Sequence, residues 1–109
     1  MENNTGRIRE NKARIIADTL GKEEILLQLA EECSELAQAC VKYHRALHRL
    51  TPMSEDAAVE SLAEELADVS LIIEQVKYLF GPDFTGKTYA TWGRKIKRWY
   101  QRLFKKEDL

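Results

Sequence analysis

The chain has 109 residues, 32% charged and 44% hydrophobic, which predicts one folded domain with a modest core and argues against a disordered chain. Its formal net charge of −1 makes no overall electrostatic case for a polyanion partner. No apolar run approaches the roughly 20 residues of a membrane span. Met1-Glu2-Asn3-Asn4 lacks the basic-then-apolar pattern of a leader, so a cytoplasmic protein without a membrane partner is expected.

The periodicity is helical throughout. A first helix is expected from about Arg7 to Thr19, with Gly21 ending it. A long second helix should follow from about Lys22 to Arg49. Its apolar positions are Ile25, Leu26, Leu29, Cys33, Leu36, Cys40, Val41 and Leu47, spaced by threes and fours. Cys33 and Cys40, the only cysteines, lie seven apart on that helix, about 10 Å along its axis. A disulfide within the helix cannot span that gap, and two buried, reduced thiols are expected. Thr51-Pro52-Met53-Ser54 reads as a connection. A third helix should run from about Glu55 to Phe80, carrying Leu62, Leu66, Val69, Ile72, Ile73, Val76 and Leu79. Gly81-Pro82-Asp83 should break it, and a last helix should run from about Tyr89 to Lys105. Short connections between long helices predict an all-α, antiparallel bundle.

Two acidic clusters interrupt this pattern: Glu31-Glu32-Cys33-Ser34-Glu35 and Glu64-Glu65-Leu66-Ala67-Asp68. Glu32 and Glu35 are three apart, as are Glu65 and Asp68, so each pair shares a helix side. Glu65 falls roughly 35° from the centre of the third helix's apolar stripe, and Asp68 roughly 95° away. Glu32 is expected at the border of its own stripe, with Glu35 and Glu31 further round. A Glu buried without a partner is costly or becomes neutral. If the two helices pack together, four carboxylates converge, and a hard divalent cation with oxygen ligands would relieve their repulsion. Solvated acids, or acids paired with Lys and Arg, are the alternative.

The two clusters together resemble the EExxE…ExxD motif of the MazG-like all-α nucleoside triphosphate pyrophosphohydrolases. Gly81 and Lys95-x-x-Arg98 are similar to that family as well. The likeness covers about residues 22–102 of a single domain, 1–109. It implies a helical bundle completed by oligomerisation, as a homodimer or homotetramer. The implied reaction is hydrolysis of a (deoxy)nucleoside triphosphate between its α- and β-phosphates. The implied metal ligands are Glu32, Glu35, Glu65 and Asp68, holding Mg²⁺ with Mn²⁺ as a substitute. Glu31 and Glu64 would be outer or second-metal acids, and Glu31 or Glu35 would act as general base. Charge developing on pyrophosphate calls for cations, and Lys42, Lys95 and Arg98 are the candidates. The chain departs from some relatives in having no aromatic residue directly after Asp68. Tyr43, Tyr78, Trp92 and Trp99 are the available rings, expected mainly as packing residues, so base preference stays open.

Other motifs carry less. Gly81-Pro82-Asp83-Phe84-Thr85-Gly86-Lys87-Thr88 matches the GxxxxGK[ST] pattern of a phosphate-binding loop, but that loop requires a strand before it and a parallel sheet around it. A plain helix–helix connection is expected instead. His44 and His48 share a helix side without a third ligand, so packing or exposure is expected. The basic, aromatic last helix, with Arg94, Lys95, Lys97, Arg98, Arg102, Lys105 and Lys106, reads first as a core helix with solvated cations. Two other functions compete with the enzyme: a catalytically silent binding or regulatory protein of the same fold, and a small nucleic-acid-binding module. Nucleic acid is not the expected partner.

Overall fold

The computed structural model describes the backbone of residues 2–104 and the side chains of residues 6–104. Among these residues the secondary structure is entirely helical: α1 (Glu2–Leu47), α2 (Glu55–Phe80) and α3 (Pro82–Leu103). Lys105 and Lys106 of the expected last helix lie outside the described residues. No described helix is long and apolar enough to cross a membrane.

The break expected at Gly21 is present, inside α1. Gly21 has φ 84° and ψ 171°, a left-handed, non-helical conformation open to a residue without Cβ, and it divides α1 into two straight segments. The second segment stops at Leu47 rather than Arg49. The Leu50 amide donates to the Arg45 carbonyl at 2.8 Å and the Arg49 amide to the Ala46 carbonyl at 3.1 Å. With Arg49 at φ 57°, this is a Schellman motif with an arginine where glycine is usual. The start of α2 is capped as its sequence suggests. The Ser54 hydroxyl accepts the Ala57 amide at 3.1 Å, and Glu55 and Asp56 place negative charge in the first turn.

The start of α3 corrects the expectation. Pro82 to Thr88 are helical, not a connection, and only Gly81, at φ 92°, separates α2 from α3. Proline at the first helical position loses no hydrogen bond there and arrives with a helical φ. The segment matching GxxxxGK[ST] is therefore mostly helix, and no strand precedes it among the described residues.

Backbone contacts divide the chain into two compact units, one ending at Leu79 and one beginning at Phe80. In the first, α1 and α2 run antiparallel. Glu32 lies close to Glu65 and Asp68, while the first segment of α1 meets the far end of α2. There the Gln75 side-chain amide, buried, donates to the Ala13 carbonyl at 3.0 Å. The Tyr78 hydroxyl donates to Asp18 at 2.8 Å, and the Arg14 guanidinium lies 5.2 Å from the centre of the Tyr78 ring. Tyr78 is thus a clasp on the first segment.

The buried apolar set is Ala17, Ile25, Ala39, Ala46, Ala58, Val69, Ile72 and Val76. Half of it is alanine, and all of it lies in the first unit. Cys33 and Cys40 are exposed, contrary to expectation. In the second segment of α1, Ile25, Ala39 and Ala46 are buried, Leu29 and Leu36 are half-buried, and Leu26, Leu27, Cys33, Cys40, Val41 and Leu47 are exposed. In the second unit, α3 has no buried residue, so Trp92 and Trp99 are not core residues of this chain.

Candidate functional site

Two rows of residues build the site. On α1, Ile25, Ala39 and Ala46 are buried, and Glu32 occupies the remaining position of the same seven-residue series. On α2, Ala58 and Ile72 are buried, and Glu65 sits midway between them. Positions seven apart recur on nearly the same side of a helix. Each acid therefore stands where the pattern otherwise places core. An antiparallel pairing that sets Glu32 opposite Glu65 brings Ile25 level with Ile72 and Ala39 level with Ala58, since both helices rise about 1.5 Å per residue. Alanine at these levels lets the two backbones approach.

Glu32 is thus not at the border of its stripe but in the buried row. The bulky Leu, Val and Cys side chains centre the sequence pattern elsewhere, whereas the buried row is held by Ile25, Ala39 and Ala46.

Oxygens of Glu32, Glu65 and Asp68 lie within 4.8 Å of one another. Among the described residues these three form the group of acids, His or Cys with a spacing suited to one metal ion. One oxygen of Glu32 and one of Glu65, Oε2 in each, are shielded from solvent and have no hydrogen-bond partner. Burial first, then the charges of Glu35, Asp68 and Glu65, push the Glu32 carboxyl up from 4.5 to about 6. Burial, with the charges of Glu35 and Asp68, also raises Glu65. The charges acting on these two residues, those of Glu35, Asp68 and Glu65, are all acidic. Two orphaned oxygens and a donor set made wholly of carboxylates fit a hard divalent cation, which would supply the missing partner and cancel the repulsion.

Glu35 is exposed, and its charge reaches both Glu32 and Glu65, but it stands outside the set of three oxygens. Glu31 and Glu64 are exposed on the outward sides of their helices. Lys42 lies ten residues beyond Glu32, about 15 Å along α1. It lines a hollow with Arg45, Leu50, Thr51, Pro52 and Met53 at the α1–α2 turn, so it is not gathered with the acids. Lys95 and Arg98 are exposed on α3 in the second unit, and Lys95 lines a shallow hollow there with Phe84, Lys87, Thr88, Thr91 and Trp92. The His44 and His48 rings meet at a tilt of 53°, centres 4.5 Å apart, and both are exposed.

Comparison of the chain with protein-family models, with curated proteins and with solved structures returned no match.

Proposed function

We propose that the protein is a Mg²⁺-dependent nucleotide pyrophosphohydrolase of the MazG-like type, working as a homodimer or homotetramer. The observation that carries this reading is the pair of unpartnered, shielded oxygens on Glu32 and Glu65, with Asp68 in the same 4.8 Å set. Without a cation, or a proton shared among the carboxyls, these two buried oxygens have no partner. The EExxE…ExxD pattern supports the same assignment.

In this reading Glu32, Glu65 and Asp68 hold Mg²⁺, or Mn²⁺ in its place, and Glu35 completes the set from one turn further along α1. The ion would supply charge neutralisation for the triphosphate and a Lewis acid for the phosphoryl group. Glu35 or Glu31, both solvent-accessible, would take the proton of the water that attacks the α-phosphate. The α–β phosphoanhydride bond breaks, and pyrophosphate leaves with the electron pair. Lys95 and Arg98 are the cations that the resemblance assigns to the charge growing on that leaving group. Glu64 would act from outside the ligand set.

The test is pyrophosphate release from a panel of ribo- and deoxyribonucleoside triphosphates with Mg²⁺. Release of pyrophosphate with monophosphate from at least one nucleotide is expected. Release of inorganic phosphate alone, or no turnover with any nucleotide, would overturn the reading.

A further inference from the structure

The two cysteines and two histidines of this chain share one helix face. On a wheel of α1, Cys33, Cys40, His44 and His48 fall within about 80° of one another. All four are exposed. The face is separate from the row that carries Glu32, and His44 lies twelve residues beyond that acid, about 18 Å along the axis.

His44 and His48 stand one turn apart where α1 ends. Their backbones are fixed. The His48 amide donates to the His44 carbonyl at 3.2 Å, and the cap at Arg49 and Leu50 closes the helix directly after. The two rings meet with centres 4.5 Å apart at a tilt of 53°. Two imidazoles on one ion, with metal–nitrogen bonds of about 2.0–2.1 Å meeting at about 90–110°, have ring centres about 4.5–5.2 Å apart. Among the described residues the rings contact each other, and neither ring's nitrogens have a hydrogen-bond partner. Each neutral imidazole therefore has a lone pair to give.

We propose that His44 and His48 together chelate one d-block divalent cation, Zn²⁺, Ni²⁺ or Cu²⁺, at a site separate from the carboxylate cluster. The argument is independent of the chemistry at that cluster. Imidazole suits these ions, whereas Mg²⁺ and Ca²⁺ take oxygen ligands. No acid occurs among residues 40–50, while Lys42, Arg45 and Arg49 do. Charge alone therefore draws no cation here, and nitrogen donation has to hold it. Cys40 is one turn before His44, but helical side chains lean toward the N-terminus, so its thiol leans away from the pair. Two protein ligands leave the other positions to water, so the ion exchanges, unlike one in a closed four-ligand site. An ion that bridges positions four apart also ties down the last turn of α1.

The test is a calorimetric titration of Zn²⁺ into tag-free, chelator-stripped protein in excess Mg²⁺. One Zn²⁺ per chain is expected, and Glu65→Gln should bind it equally well. His44→Ala and His48→Ala should each weaken Zn²⁺ at least about tenfold, because one ligand alone forfeits the chelate. Cys40→Ser should not. All these histidine and cysteine positions are exposed, so helical circular dichroism should match the parent in each variant.

A measurement on the unaltered chain stands beside these. With nitrogen-15-labelled histidine, Zn²⁺ should shift the imidazole signals of His44 and His48 together and saturate at one equivalent. No binding, binding indifferent to both histidine substitutions, or a shift of only one imidazole would overturn the site. So would loss of binding in Glu65→Gln or in Cys40→Ser, or displacement of Zn²⁺ by an equal concentration of Mg²⁺.

Discussion

The α1–α2 pair and α3 solve opposite problems. The pair hides a thin core, half alanine, carries most of its excess acid on α2, and admits two carboxylates into the rows where core belongs. The helix with the most sharply segregated sequence, α3, hides nothing and is basic. Amphipathic pattern therefore does not report burial within one chain.

That contrast can be broken first at the acids. Glu65→Gln should lower Mg²⁺-dependent turnover by at least about a thousandfold, roughly 4 kcal/mol in the barrier, while the helices persist. The same variant should melt higher than the parent in metal-free buffer, because a poorly solvated charge is gone. Unchanged pyrophosphate release would remove Glu65 from the site.

A smaller effect is expected from α3. On the proposed function, Lys95→Ala or Arg98→Ala should cost more than tenfold in catalytic efficiency, above about 1.4 kcal/mol, because each removes a candidate cation for the leaving pyrophosphate. Lys87→Ala, on the same helix and within the GxxxxGK[ST] match, should cost less than that. The opposite ranking, measured on one nucleotide, would move the phosphate site to the start of α3.

The clasp of the first α1 segment is next. Gln75→Ala removes the cross-helix hydrogen bond to the Ala13 carbonyl and empties a buried position, and about 1–3 kcal/mol of stability should be lost in urea unfolding. A midpoint unchanged from the parent would show that the segment is held by other contacts.

The mildest test is pH. Folding raises the Glu32 carboxyl from 4.5 to about 6, so between those values the folded chain holds protons that the unfolded chain has lost. Stability of the metal-free protein should fall as pH rises through that window, and Mg²⁺ should flatten the decline by favouring the ionised form. A melting temperature that rises across the same window without metal would contradict the burial of Glu32.

Much of this was legible in the sequence, for reasons that differ by element. The bounds of α2 were plain because Ser54 caps one end and Gly81 closes the other. Gly21 announced its break by being the residue that tolerates a left-handed turn. The convergence of Glu32, Glu65 and Asp68 followed from matched spacing on two neighbouring helices. The start of α3 was hidden because proline was read as a breaker, although its first-turn role is the reverse. The exposure of Cys33 and Cys40 was hidden because hydrophobic character favours Cys over Ala, while close helix packing favours the smaller residue.

The alanines then acquire a second meaning. Ala39 and Ala58 lie about two turns from the acids, on the same inward rows, and they act as a gauge block between the two backbones. The gap across which Glu32 and Glu65 face each other is set by methyl groups that touch no reactant. Such a spacer works through thickness alone, so a single added methylene at either alanine reads out as a wider jaw at the carboxylates, and an ion as small and as strict in its geometry as Mg²⁺ is the one least able to follow.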